Sequence, residues 1–275
     1  MLQNSEMLWR VGVALSVLVV MLLLERRWPR RESRESFWRR AATNLGLVVI
    51  DSLALRLFVP VAAAGAAVIA ERNGWGLLSA IALPTSVTMA VAVILMDLAI
   101  YAQHIAMHRV PVLWRLHQVH HADRTFDVTT GVRFHPFEIV LSMLYKCLVV
   151  VALGVPVAAV ILFEILLNAA ALFNHGNVRL RVGLDQWLRR VIVTPDMHRV
   201  HHAVHRSETD SNFGFFLSWW DRLFGTYVAQ PRDGHAAMQI GLSQYAKART
   251  GSLWWCLALP FSSTRSSVPA EKAEH

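Results

Sequence analysis

Cysteine and charge are both scarce in this chain. Its 275 residues include two cysteines, Cys147 and Cys256, at no paired spacing. That excludes a disulfide framework and a cysteine-built zinc or iron–sulfur site. Charged residues make up 17% against 55% hydrophobic ones, and the mean hydropathy is +0.39. So little charge excludes an ordinary soluble domain and points to a polytopic membrane protein. The charge is also one-sided, with 27 basic and 19 acidic residues for a net +8. No nucleic-acid partner is expected, because the bases flank apolar runs instead of patterning one face of a soluble fold. Positive-inside topology accounts for them. A flavin or nicotinamide Gly-x-Gly-x-x-Gly fingerprint is missing, as is any internal repeat of 20–50 residues.

What the chain has instead is apolar runs. Residues 7–24 form the first, long enough for a span of about 20 residues. The block Glu25–Arg40 follows with seven arginines and three glutamates. The positive-inside rule makes it cytoplasmic, and Pro29 should interrupt any helix through it. A second span is expected over roughly 45–70, with Asp51 and Arg56 snorkelling towards water near its cytoplasmic end. After a turn at 71–76, a third span over about 77–101 runs directly into the first histidines. The apolar stretch 138–173, broken at Gly154 and Pro156, reads as a helical hairpin that either spans or re-enters. Residues 176–230 are mixed in polarity and should form a cytosolic cap. Leu253–Phe261 is too short to span and should be interfacial, and a disordered tail is expected from Ser262. The expected fold is all-α, a polytopic integral membrane helical protein with a cytosolic histidine-rich cap. Its parts are N-terminal spans with the basic loop (1–76), a catalytic domain (77–230) holding the membrane hairpin, and a C-terminal extension (231–275).

Eleven of the thirteen histidines lie between His104 and His205, in groups. The first is His104 and His108, the second His117, His120 and His121, the third His198, His201 and His202. Positions i, i+3 and i+4 share a helix face, so each triplet can bring its imidazoles together. Thr194-Pro195-Asp196 is a good helix start ahead of the third group. Asp97 and Tyr101 lie on one stripe with His104 and His108, and either is a candidate to hold the second ring nitrogen of His104. His205 continues the stripe of the third group and is expected behind the ligands or in solvent. His135 and His175 stand alone and are conditional ligands. Imidazole suits zinc, copper, iron and nickel alike. A single zinc takes about four ligands, so eight to ten histidines imply two metal ions.

The spacing His-x3-His, His-x2-His-His, His-x2-His-His resembles the fatty acid hydroxylase / sterol desaturase superfamily of membrane di-iron oxygenases. Arg133-Phe-His-Pro136 with Glu138, Thr194-Pro-Asp-Met-His198, Asp210-Ser-Asn-Phe-Gly214 and Trp220–Tyr227 fit the same pattern in order. The resemblance implies two iron ions, with O2 as cosubstrate, held by His104, His108, His117, His120, His121, His198, His201 and His202. His175 matches a further ligand. Some relatives carry a histidine where this chain has Ala171, so that place would be filled by His135, by water held by Asn174 or Asn177, or left open for O2. Zinc can substitute in purified protein.

The implied reaction is hydroxylation or desaturation of an unactivated C–H position in a lipid (fatty acyl, sterol-like or other isoprenoid). Electrons would come from a separate reductase, ferredoxin or cytochrome. Ether-lipid monooxygenase and carotenoid hydroxylase are alternatives within the family. A histidine-rich metal transporter would place its ligands across the bilayer midplane on several spans, whereas these gather at one face. A non-catalytic lipid-binding relative would not be expected to keep the full set.

Overall fold

The computed structural model describes residues 2–33 and 35–262. The tail expected beyond Ser262 lies outside the described residues. Helix α1 (Leu2–Arg27) carries the first apolar run and ends before Trp28-Pro29, where the ring and missing N–H of proline stop a helix. The strap that follows is tied down by backbone bonds: Arg30 N–H donates to the Asn177 carbonyl and Arg179 N–H to that of Trp28.

The span expected over 45–70 is two helices, α2 (Phe37–Phe58) and α3 (Ala63–Asn73). The break falls at Val59-Pro60, again a proline effect. Asp51 does not snorkel. It is buried on α2 with one carboxylate oxygen unpartnered, while Arg56 is exposed. Helix α4 (Thr85–Arg109) follows Pro84, and α5 (Pro111–His121) has proline at its first position, where its missing N–H costs nothing.

The hairpin is α6 (Pro136–Leu153) and α7 (Val157–Asn174). Each arm has 18 residues, about 27 Å of helix against a hydrocarbon core of about 30 Å. Its tip meets the turn between α3 and α4. Gly154 sits at φ +65 and Gly76 at φ +100, and a Cβ on Gly76 would stand 2.0 Å from the Gly154 nitrogen. The Glu71 carboxylate accepts from Val157 N–H at 2.9 Å. The hairpin therefore runs the length of the bundle. Among the described residues, four segments are long and apolar enough to cross a membrane: Phe37–Ala80, Thr85–Arg109, Pro136–Leu153 and Val157–Asn174.

Small residues fill the far end of the bundle. Ala63, Ala66 and Ala67 of α3 and Ala92 of α4 are buried against Val160 and Phe163 of α7. Without bulk between them, helices in lipid gain van der Waals contact by close approach. At the other end Leu47 of α2 and Trp114 and Val119 of α5 share one buried cluster with Leu242, Tyr245, Cys256 and Leu259. The piece expected to be interfacial is thus partly core: Cys256 is fully buried and Leu253 lies against Gly46 of α2. Two buried arginines lock this end. Arg40 pairs with Asp123 at 2.7 Å and with Asp127. Arg133 donates to the Val119 carbonyl (2.8 Å), Asn44 (3.0 Å) and the Thr250 carbonyl (2.7 Å). Short helices α8 (Val182–Leu188) and α9 (Pro195–His201) begin the cap. Among the described residues there is no β-strand, only isolated bridges.

Candidate metal centre

Four elements deliver nine buried histidines to one place. The last turns of α4 carry His104 and His108, and α5 carries His117, His120 and His121. His175 caps the C-terminal end of α7. Helix α9 starts at Thr194, whose side chain accepts from Met197 N–H, and presents His198 and His201 with His202 as its C-cap. These histidines form two groups that could each hold a metal ion. His104, His108, His117, His121 and His201 make one, and His120, His175, His198 and His202 the other. Within each group the ligand atoms lie within 4.8 Å of one another.

The triplets therefore do not act as units. On α5, His117 and His121 are i, i+4 and join the first group, while His120 turns to the second. Successive residues on a helix differ by 100°, and the His120 and His121 rings stand at 82° to each other. On α9 the assignment is reversed: His198 and His202, also i, i+4, join the second group and His201 the first. Each triplet gives a pair to one group and a single residue to the other, which binds the two groups into one centre.

Backbone and carboxylate acceptors fix the rings. In the first group, Nδ1 of His104 bonds the Phe213 carbonyl (2.8 Å), His117 bonds Glu138 (2.7 Å), and His201 bonds the Ser211 carbonyl (2.7 Å). His108 reaches Asp210 more loosely, at 3.4 Å. A ring held through Nδ1 has its tautomer set and turns Nε2 inward. All five Nε2 atoms of this group are buried with no hydrogen-bond partner. In the second group, His120 and His175 are fixed by the carbonyls of Arg133 (3.2 Å) and Ala171 (2.8 Å). Nε2 of His175 lies 3.1 Å from that of His120 and 3.0 Å from that of His198. Three converging ring nitrogens cannot all be satisfied by one another, and buried polar atoms left unsatisfied cost about 1–3 kcal/mol each. A cation between them resolves the conflict. The donor set fits a metal.

Burial disfavours the charged form of six of these rings, and ligation requires neutral imidazole. It pushes His175 and His201 down to about 3, and it pushes His120, His121, His198 and His202 well below the ordinary imidazole value, aided by neighbouring histidines. Aromatic rings exclude water. Phe134 stacks on His120 at 4.7 Å, Phe213 lies 5.1 Å from His108, and Phe126 covers His175 and His202 at 5.5 and 5.0 Å.

The remaining expected site residues are placed differently. Asp97 does not hold His104. Its carboxylate accepts from Leu217 N–H (3.1 Å) and Trp220 Nε1 (2.8 Å), and the Phe213 carbonyl takes the role expected of it. Tyr101 bonds Thr226 at 2.8 Å instead of a histidine. His135 joins neither group: its ring caps α6 by accepting from Phe137 N–H, and its other nitrogen faces the Leu257 carbonyl. Asn177 is spent on the strap, bonding both N–H and carbonyl of Arg31. Asn174 donates to the Phe215 carbonyl and keeps a buried, unpartnered oxygen. His205 is at the surface, paired with Asp233 at 2.9 Å. Residue-by-residue reading missed Glu138 and Asp210 as partners of ligand rings. Both sit inside motifs visible in the sequence, but their roles require the turn that carries α6 back over α5 and the loop that follows α9.

Comparison with known proteins adds an independent line. A family model described as fatty acid hydroxylase matches residues 89–226. The chain is 29% identical over 180 residues to the ornithine lipid hydroxylase of Rhizobium tropici, covering 65% of this chain and 52% of that protein. It is 27% identical to the human alkylglycerol monooxygenase over 139 residues, 49% of this chain and 29% of the relative. Against the rat cholesterol 25-hydroxylase it is 24% identical over 145 residues, 51% of this chain and 47% of the relative. The chain thus spans about half or less of the length of these curated relatives. No solved structure matches it.

Proposed function

The chain belongs to the fatty acid hydroxylase family, and on that premise we propose that it is an O2-dependent membrane oxidoreductase that hydroxylates a lipid. The observation that carries the proposal is the pair of buried histidine groups, five and four, with inward nitrogens unpartnered or facing one another. In this reading each group holds one iron ion, and the nine histidines are the ligands. Bound there, iron supplies the O2 and redox chemistry that side chains lack. The chain's own part is to hold neutral imidazoles in fixed tautomers, to exclude water with Phe126, Phe134 and Phe213, and to admit a hydrocarbon chain from the bundle side. The overall reaction is R–H + O2 + 2 e⁻ + 2 H⁺ → R–OH + H2O, with the electrons from a separate reductase, ferredoxin or cytochrome.

The names of the relatives support a substrate among polar lipids bearing acyl or alkyl chains, or sterols. Residues 77–230 are proposed as the catalytic domain. The centre is proposed to face the cytoplasm, because the arginine block between α1 and α2 lies at the same end of the bundle as the histidines, through Arg30 to Asp196 and Arg40 to Asp123. The deciding experiment supplies iron-loaded protein in lipid nanodiscs with a reductase and 18O2, then reads the lipids by mass spectrometry. One labelled oxygen in a lipid product is expected. Loss of two hydrogens without label would make the enzyme a desaturase, and an unchanged lipid pool across a broad panel would refute the oxidoreductase reading.

A further inference from the structure

The cap carries an apolar surface that the metal centre does not use. Trp187 of α8 and Val191 just beyond it are exposed, as are Trp219, Leu223 and Phe224. These are one surface, because the two segments pair: Val193 N–H donates to the Phe216 carbonyl, Ser218 N–H to that of Val191, and Trp219 Nε1 to that of Arg190. Leu223 and Trp187 are 68% and 65% exposed, more than aqueous solvation of large apolar side chains on one surface favours.

Its position explains the exposure. Residues 213–220 do not hang below the bundle but climb along α4. Tyr101, Phe213, Leu217 and Trp220 form a buried cluster against Ile94 and Leu98. Ile94 is ten residues, about 15 Å, from His104 towards the far end of the helix. Asp97, buried on this membrane-crossing segment, accepts from both Leu217 N–H and Trp220 Nε1, while Phe224 stacks on Tyr101 at 5.5 Å. The apolar surface is therefore continuous with a lipid-facing helix and lies beside its hydrocarbon-crossing length. Arginine is interleaved with it: Arg181, Arg190 and Arg222 each adjoin one of the exposed apolar residues and are themselves exposed. Tryptophan and arginine at the edge of an apolar face are the composition of an element lying in a membrane interface.

We propose that residues 182–191 and 219–224 form an in-plane wedge seated in the bilayer leaflet nearest the histidine groups, anchored to α4 through Asp97, with Arg181 and Arg190 meeting the phosphates of anionic phospholipids. The wedge joins the metal centre through one short loop. The carbonyls of Ser211 and Phe213, which fix His201 and His104, belong to the segment that leads into it. The leaflet thereby becomes part of what holds two ligand rings in place.

The test needs no turnover. Trp187→Cys and Leu223→Cys, each in a Cys147→Ser background, are labelled with an environment-sensitive nitrobenzoxadiazole probe; Cys256 is fully buried. Lys247→Cys, exposed elsewhere on the cap, is the control. The proteins are placed in nanodiscs of phosphatidylcholine and phosphatidylglycerol, with and without 5-doxyl phosphatidylcholine. Blue-shifted emission quenched by the doxyl lipid is expected at 187 and 223, with water-like unquenched emission at 247. Water-like emission at both wedge positions overturns the proposal. So does blue emission that the doxyl lipid does not quench, which would mean the surface is covered by a second copy of the chain. For the arginines, Arg181→Glu with Arg190→Glu should lower the number of phosphatidylglycerol molecules retained in native mass spectrometry, and an unchanged number overturns the headgroup contact.

Discussion

The two histidine groups are built from the same residue type and share α5 and α9, yet they are held differently. Four of the five rings in the first group have Nδ1 bonded to an acceptor, two of them to carboxylates. In the second group two of four are bonded, both to carbonyls, and Nδ1 of His198 and of His202 has no partner. A carboxylate behind an imidazole raises its basicity and fixes its plane. The first group is therefore the more rigid and donor-rich of the pair, with one ligand to spare over four. The second has two rings without an Nδ1 partner and no imidazole beyond four.

That difference predicts unequal responses to losing a ligand, and this is the largest effect expected. His120→Ala leaves three histidines in the second group and should reduce iron from two ions per chain to one, with turnover at background. His201→Ala leaves four in the first group and should retain close to two ions, bound more weakly. Iron per chain by mass spectrometry after dialysis separates them, and equal losses would erase the distinction. Next in size is Glu138→Gln, which keeps the volume but removes the charge behind His117. Losing the carboxylate behind a metal-binding imidazole costs about 10–100-fold in metal affinity or activity. Asp210→Asn, at a longer contact to His108, should cost less, as read by competition with a chelator.

The histidine spacing made eight of the nine gathered imidazoles legible, along with the hairpin above them. It did not reveal the partition. The i, i+3, i+4 pattern suggests three rings at one point, but α5 turns His117 and His121 to one group and His120 to the other. Asp97 misled for a related reason. Its stripe with His104 is real, yet the cap segment that climbs α4 brings Leu217 and Trp220 to it first, and nothing local to residues 97–108 encodes that contact. Likewise Cys256 and Leu259 gave no local sign of joining the core around Trp114, because their burial depends on the return of the chain to α2.

A smaller effect concerns pH in the metal-free protein. Burial holds His175 and His201 near 3 in the folded state, against about 6.5 when unfolded. Between those values the unfolded chain binds more protons, so stability is full above about pH 6.5 and declines as pH falls through that window. The melting temperature of metal-free protein should therefore drop between about pH 7.5 and about pH 5.5, and metal should leave the loaded protein in the same direction. A flat profile would mean that the rings are not kept neutral by burial. Smallest of all are the two histidines outside the groups. His135→Ala removes a helix cap, worth about 1 kcal/mol, and His205→Ala removes an exposed ion pair worth about 0–1 kcal/mol. Both should leave iron per chain unchanged. A loss of iron in His135→Ala would bring that residue back among the ligands.

The central claim is that one chain holds two metal ions in one centre, five histidines around one and four around the other. Iron quantified against protein concentration, in wild type and in His120→Ala side by side, tests it most directly. The account predicts two ions per chain in the first and one in the second; a single ion in wild type, or two in the variant, would contradict it.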